Sequence, residues 1–377
     1  MIPSLHISGF KLFRDLELPK LGSLNLFVGK NNTGKTCLLE AVELYASSSP
    51  WDILRVASRR EPDGIQPREE RNYSAEKSTN LQPLLNFFHR ENSPADLRLY
   101  LSAGTPEADL EFQCSPFLPE LLDEPFYSEH GKLDSTRRRT YPRDLLEERF
   151  VMIRGRKSLR RPLFLHLHLR GLPMPKEILE AEGWLHPDAA PVAFLPARGF
   201  TNSEAKKLWD IASLADKDEM LLAWLRFIEP EVLDIRYISD PESGSDVPYL
   251  KINGDRGRIP LASMGDGMTR LFHIGLAMAN ASGGILLIDE FENGLHWEVQ
   301  KQLWTALFEA ANQFGVQVFA TTHSNDCIQA FVDAKKDRLI SSENYVYRLE
   351  RRGDDIHAHE FSLQGLEAAI RHGIEVR

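Results

Sequence analysis

The apolar positions of the first fifty residues change rhythm twice. "LHISGFKLF" (5–13) alternates partly, as a strand with one buried face does, and "LNLFVG" (24–29) is a short apolar run closed by glycine. "TCLLEAVELYA" (36–46) then has helical spacing, and "SSSP" is expected to end that helix at Pro50. From about Trp51 to Pro196 no long period survives. Sixteen of the 22 prolines lie between Pro50 and Pro196, both counted, which excludes a long coiled coil there and predicts loops with short apolar pieces such as "LLNFF" and "LFLHLHL".

A regular pattern returns at about Pro191. "VAFLPAR" reads as a buried strand, "EAKKLWDIASLADKDEMLLAWLRFI" as one helix closed by Pro230, and "LDIRYISD" with "PYLKINGDRGRIPL" as strands with a turn at "NGDRG". A helix to about Asn280 follows, then the strand "GILLIDE", a helix "EVQKQLWTALFEAANQF" stopped by Gly315, and the strand "VQVFATTH". A short helix, a hairpin in "YVYRLERRGDDIHAHEF" and a last helix, "LQGLEAAIRHG", complete the pattern. The alternation predicts an α/β chain: a core from residues 1–50 and 190–377, interrupted over 51–189 by an inserted, loop-rich subdomain or lid.

Composition narrows the class only a little. The 377 residues are 42% hydrophobic and 27% charged, ordinary for a globular chain, and the net charge of -10 argues against coating nucleic acid with the whole surface. Cys37, Cys114 and Cys327 form no C-x-x-C, so neither a disulfide framework nor a cysteine zinc site is expected. The N-terminus has no signal-peptide pattern and no stretch reaches 18 apolar residues, so the expectation is a cytoplasmic chain with no membrane segment.

Chemistry concentrates at the ends of three predicted strands. "GKNNTGKT", Gly29 to Thr36, fits G-x-x-x-x-G-K-[ST] between a strand and a helix. Gly29 and Gly34 let the backbone through Lys30, Asn31, Asn32 and Thr33 curl so that its N–H groups face phosphate. Lys35 would reach the outer phosphates and Thr36 would ligate Mg2+ through its hydroxyl, with Cys37 beside them as a small helix residue. "ILLIDE" sets Asp289 and Glu290 at a strand's C-terminal end, where α/β sheets bind ligands. Asp289 would hold Mg2+, directly or through water, and Glu290 would act as general base. "VQVFATTHS" brings His323 to a third strand end, within reach of a γ-phosphate or its attacking water. "SMGDG", Ser263 to Gly267, opens a helix and has the look of a second anion site.

In this order the motifs resemble the ABC-type ATPases, and within them the group containing SMC, RecF and the OLD (overcoming lysogenisation defect) proteins. "ISGFKLFRDLEL" resembles the opening strand pair of that group, "GKNNTGKT" its Walker A loop, and "ILLIDEFENGLH" its Walker B strand with the D-loop over Asn293 to His296. "ASMGDG" stands where the ABC signature sits: Ser263 and Gly265 match its serine and second glycine, while Ala262, Met264 and Asp266 depart from it. His323 falls on the switch histidine. The likeness covers about residues 1–50 and 190–377 and is nearest to stand-alone OLD-like ATPases of the AAA family or of abortive infection.

The resemblance implies an ATP- and Mg2+-dependent ATPase. It would form a dimer or larger ring, with Ser263, Met264, Gly265, Asp266 and Gly267 of one chain capping the nucleotide of another. It also implies control of a separate toxin or nuclease in phage defence, since the 54 residues after His323 are expected to leave no room for the TOPRIM nuclease domain of full-length OLD proteins. A DNA-binding repair ATPase and a nucleotide-gated scaffold with little turnover are the alternatives.

Two further features stay open. Arg137 to Arg161 holds ten basic and three acidic residues, which suits DNA or RNA phosphates but equally a solvated loop or an acidic partner. The pairs His166/His168 and His357/His359 read as half-exposed strand faces rather than as metal sites.

Overall fold

In the computed structural model, residues 1–46, 50–59, 86–89, 97–104, 109–115, 125–127, 133–138, 149–154, 161–162, 190–226, 229–239, 246–255, 257–337, 343–372 and 376 are described. The basic stretch Arg137–Arg161 is described only as backbone pieces of short strands. Its side chains, like His166 and His168, lie outside the described residues.

Two six-stranded sheets organise the chain. The first begins with a hairpin, β1 (Leu5–Phe10) and β2 (Phe13–Leu18), turning at Lys11, whose φ is 49°. β3 (Leu24–Val28) leaves for the second sheet. The first sheet continues through β4 (Leu97–Ser102) and β5 (Leu110–Ser115); a separate two-stranded ribbon pairs β6 (Pro125–Tyr127) with β7 (Leu133–Arg138). β8 (Arg149–Arg154) and β9 (Arg161–Pro162) complete the first sheet in the order β2-β1-β4-β5-β8-β9, antiparallel throughout. Ladder bonds therefore run from the N-terminal hairpin to β4, with Ile7 opposite Leu101.

The second sheet is the core. Its order is β10 (Val192–Leu195), β14 (Ile285–Ile288), β15 (Gln317–Thr322), β3, β16 (Asn344–Arg352) and β17 (Asp355–Phe361). The first five strands are parallel and β17 returns antiparallel. Between β10 and β14 in the chain lies a smaller antiparallel sheet of β11 (Val232–Ser239), β12 (Asp246–Ile252) and β13 (Ile259–Pro260).

Alternation along the core strands divides them between two apolar layers, the period of two that pleated strands impose. Leu24, Leu26, Val28, Leu286, Ile288, Val318 and Ala320 face one layer. Phe27, Ile285, Leu287, Phe319 and Tyr347 face the other. Phe27 stacks between Phe319 and Tyr347, with centroids 6.3 and 5.9 Å away. Burying each such ring contributes roughly 1.5–3 kcal/mol. The second layer is closed by α1 (Lys35–Ala46), which packs on core strands and on β4 and is buried nearly all round. A helix buried on both sides cannot be amphipathic, and this one has apolar residues on every face. α2 (Pro50–Ser58) follows at once, so Pro50 starts a helix rather than only ending one, as proline does at a first helical position.

The first layer is closed by α3 (Asn202–Leu214), α4 (Asp218–Leu225), α5 (Asp266–Asn280), α6 (Trp297–Gln313) and α7 (Asn325–Asp337), with α8 (Leu363–Arg371) against α7. The single helix expected over 204–228 is two. Asp216 takes a φ of 55°, and Ser213 Oγ bonds to Asp218 Oδ1 across the break.

Candidate functional site

Parallel strands put their carboxyl ends on one edge, and the chemistry-bearing residues gather there. Val28 runs into the Gly29–Lys35 loop, Ile288 into Asp289 and Glu290, Thr322 into His323, and Leu195 into Pro196 and Ala197.

The loop after β3 has the geometry of a phosphate cradle. A Cβ at Gly29 would sit 2.6 Å from Leu349 O, and one at Gly34, whose φ is +87°, would sit 3.0 Å from the Phe13 ring. Asn32 also has positive φ, 64°. Lys30, Asn31 and Asn32 are exposed, whereas Thr33 is buried and its Oγ1 donates to Lys30 O at 2.8 Å. Lys35 Nζ lies under the loop and donates to Gly29 O at 2.6 Å and Lys30 O at 2.8 Å. Burial holds this amine below its ordinary range, and Glu290, Asp289 and Glu292 pull it back up. Cys37 is buried within α1.

Thr36 and Asp289, 253 residues apart, meet: Thr36 Oγ1 donates toward Asp289 Oδ1 and Oδ2 at 3.1 and 3.0 Å. Thr321 Oγ1 donates to Asp289 Oδ1 at 2.8 Å and accepts the N–H of Glu290 at 2.9 Å. A hydroxyl and a carboxylate side by side, beneath a phosphate cradle, are the hard oxygen donors that Mg2+ takes from protein while phosphate and water fill its other positions. The residues present therefore fit that ion. Glu290 has a φ of 48°, a strained setting for a non-glycine residue and one that recurs at functional sites.

Arg270, on α5, secures that turn. Its Nη2 donates to Asp289 O at 2.7 Å and Glu290 O at 2.8 Å, and its Nη1 to Pro196 O at 2.9 Å. Burial lowers the guanidinium to about 10, still charged at neutral pH. Asn293 Nδ2 adds a bond to Ala197 O at 2.9 Å. His323 Nδ1 lies 3.2 Å from Glu292 Oε1 and 3.7 Å from Glu290 Oε1. Thr321, Glu292 and Arg270 were not among the residues the sequence nominated. An arginine inside the apolar run "MTRLFHIGLAMA" was the one visible signal.

"SMGDG" is split by the fold. Ser263 and Met264 end a 3-10 turn (Leu261–Met264), Gly265 caps α5 with φ 89°, and Asp266 and Gly267 begin the helix. Ser263, Gly265 and Asp266 are exposed; a Cβ at Gly267 would sit 3.5 Å from Gly294 O, and one at Gly294 would sit 3.5 Å from Asp266 Cβ. His357 and His359 stand on edge strand β17. Among the described residues no group of three or more His, Cys, Asp or Glu has the geometry to hold a metal. Among the described residues, too, no helix is long and apolar enough to cross a membrane.

Residues 24–326 match the family described as "AAA domain, putative AbiEii toxin, Type IV TA system". The chain belongs to this AAA family. A relative named "ATP/GTP phosphatase" from Helicobacter pylori is 23% identical over 368 residues, covering 92% of this chain and 90% of its own. An uncharacterised Methanocaldococcus jannaschii protein is 39% identical over 61 residues, 16% of this chain and 28% of that one. Among solved structures, an SMC head bound to the C-winged helix domain of ScpA superposes with a TM-score of 0.50 over 98% of this chain and 99% of that chain, at 13% identity. That likeness, together with the parallel core, makes the AAA domain here an ABC/SMC-type P-loop ATPase fold.

Proposed function

We propose that the chain binds ATP with Mg2+ and hydrolyses it to ADP and phosphate. The observation that carries this reading is the contact of Thr36 with Asp289 above a buried Lys35. That contact supports a Walker A loop and a Walker B strand brought together in one chain. Gly29 to Cys37 would hold the nucleotide, with Lys35 exchanging its loop carbonyls for phosphate oxygens. Mg2+, when bound by Thr36 and Asp289, neutralises charge on the outer phosphates. Glu290 accepts the proton of a water whose oxygen bonds to the γ-phosphorus as the bond to the bridging oxygen breaks. His323, beside Glu290, orients that water or the γ-phosphate. The relative's name, "ATP/GTP phosphatase", supports a nucleoside triphosphate substrate and leaves the base open.

Residues 1–50 and 190–377 act as the ATPase core in this reading, and 51–189 as an insertion joined to it through the β1–β4 ladder. Exposed Ser263, Gly265 and Asp266 favour a signature that meets the nucleotide of a second copy, giving an ATP-bridged dimer or larger assembly. The family description, which names a putative toxin of a toxin–antitoxin system, favours a defence role; control of a separate toxin or nuclease is the form of that role this reading adopts. Nucleic-acid contact through Arg137–Arg161 is the second reading, and its support is the charge pattern alone. Lys35→Ala tests the core of the proposal. Equilibrium titration with a fluorescent ATP analogue and Mg2+ is expected to show at least a tenfold weaker Kd, about 1.4 kcal/mol. Unchanged affinity would remove the P-loop from the site.

A further inference from the structure

Thr321 is the last residue but one of β15 and is fully buried. Strand register accounts for its place. β14 and β15 pair from Ile285–Gln317 to Ile288–Ala320, so the next step of the ladder sets Thr321 beside the turn that begins at Asp289. Three bonds from this one residue hold that turn. Its carbonyl accepts the N–H of Phe291 at 2.9 Å, its Oγ1 accepts the N–H of Glu290 at 2.9 Å, and the same Oγ1 donates to Asp289 Oδ1 at 2.8 Å. The direction of the last bond is settled: an N–H can only donate, so the single proton of the hydroxyl is left for the carboxylate. A hydroxyl that served only to cap Glu290 could give its proton to any nearby carbonyl. This one gives it to the carboxylate that faces Thr36.

The two oxygens of Asp289 are thereby unlike. Oδ1 takes hydroxyls from Thr321 at 2.8 Å and Thr36 at 3.1 Å, while Oδ2 bonds, among the described residues, to Thr36 alone, at 3.0 Å. The last torsion of a carboxylate is broad, so the group turns freely unless one oxygen is pinned. We propose that Thr321 is a positioning residue for the metal site. It pins Oδ1, so that Oδ2 is the oxygen presented to Mg2+ or to a water bound to it. It also ties that setting to the main chain at Glu290, whose φ is 48°. Metal ligand and general base then share one support, as ligands oriented by an outer partner do. The role toward metal and nucleotide rests on the hydrolytic reading above; the pinning of Asp289 does not.

Two measurements on the full chain test it. Thr321→Val keeps the shape and removes the hydroxyl, and Thr321→Ser keeps the hydroxyl with less bulk. In titrations with a fluorescent ATP analogue, wild type is expected to bind more tightly with Mg2+ than in EDTA. Thr321→Val is expected to leave the Kd in EDTA within about twofold, and to raise by about 10-fold or more the Mg2+ concentration that gives half of the tightening. Thr321→Ser is expected to stay near wild type in both. A Thr321→Val chain with the wild-type Mg2+ requirement overturns the proposal. So does one that loses affinity equally in EDTA, or a Thr321→Ser chain that fails as Thr321→Val does, since either points to packing and not to the hydroxyl. Urea unfolding in EDTA, without nucleotide, tests the pinning itself. Thr321→Val and Asp289→Ala together are expected to shift the unfolding equilibrium at least about fivefold less than the product of their separate effects. Effects that simply multiply overturn the proposal. A wild type indifferent to Mg2+, or matched by Lys35→Ala, would defeat the hydrolytic reading, and the unfolding cycle would still decide whether Thr321 holds Asp289.

Discussion

One buried cation supports the Asp289–Glu290 turn. Arg270 is 4% exposed and bonds to main-chain oxygens at both Pro196 and the Asp289–Glu290 pair, so it joins the ends of β10 and β14 from a helix between them. A positive φ at Glu290 persists only where its surroundings over-determine it, and this guanidinium supplies two of the restraining bonds. Arg270→Met keeps the stem and removes the charge. It is expected to lower the unfolding free energy by about 3 kcal/mol, since charge-assisted hydrogen bonds contribute about 1.5–3 kcal/mol each and buried carbonyls are left bare. Urea denaturation measures it; a loss below about 1 kcal/mol would mean that the carbonyls find other donors. The sequence displayed the arginine but not its partners, which are backbone atoms up to 74 residues away and carry no residue-type signal.

At the scale of elements, α5 is fixed against the loop after β10 by His273. Its Nδ1 accepts the N–H of Phe200 at 3.3 Å, and a Cβ at Gly199, with φ +76°, would lie 2.8 Å from that nitrogen. Burial first, and the charge of Arg270 second, push this imidazole down from 6.5 to about 4. Between those values the unfolded chain binds a proton that the folded chain refuses. Stability is therefore full above pH 6.5 and falls as pH drops toward 4, by about 3 kcal/mol at this site. His273→Gln keeps an acceptor and cannot titrate, so its stability is expected to lack that part of the slope in denaturation series from pH 7 to 4. Identical slopes would place the acid sensitivity elsewhere. Long periodic elements were legible in advance: α1, α5, α6 and the strands around them lie where the apolar rhythm put them. The break between α3 and α4 was not, because "LADKDE" keeps helical composition while Asp216 turns left-handed. Nor was α2, because Pro50 reads as a stop as readily as a first helical residue.

For the whole molecule, the parallel core decides the site: strands separated by hundreds of residues deliver Lys35, Thr36, Asp289, Glu290 and His323 to one edge. The motifs announced that edge because phosphate chemistry restricts residue type and spacing. They did not announce that β4 adds to the N-terminal hairpin, since strand pairing between distant segments leaves no local trace. On the proposed assembly, Ser263→Arg places a bulky cation on the exposed signature face. It is expected to leave the Kd for ATP within about twofold while abolishing ATP-driven association in light scattering. Association that survives would move the second-copy contact away from "SMGDG". The central claim, that the edge built from Walker A and Walker B hydrolyses ATP, is tested most directly by phosphate release from wild type and Glu290→Gln at saturating Mg2+ and ATP, with nucleotide affinity measured on both. Removal of the general base is expected to lower kcat at least about 100-fold while ATP still binds. A wild type that turns over no faster than Glu290→Gln would contradict it.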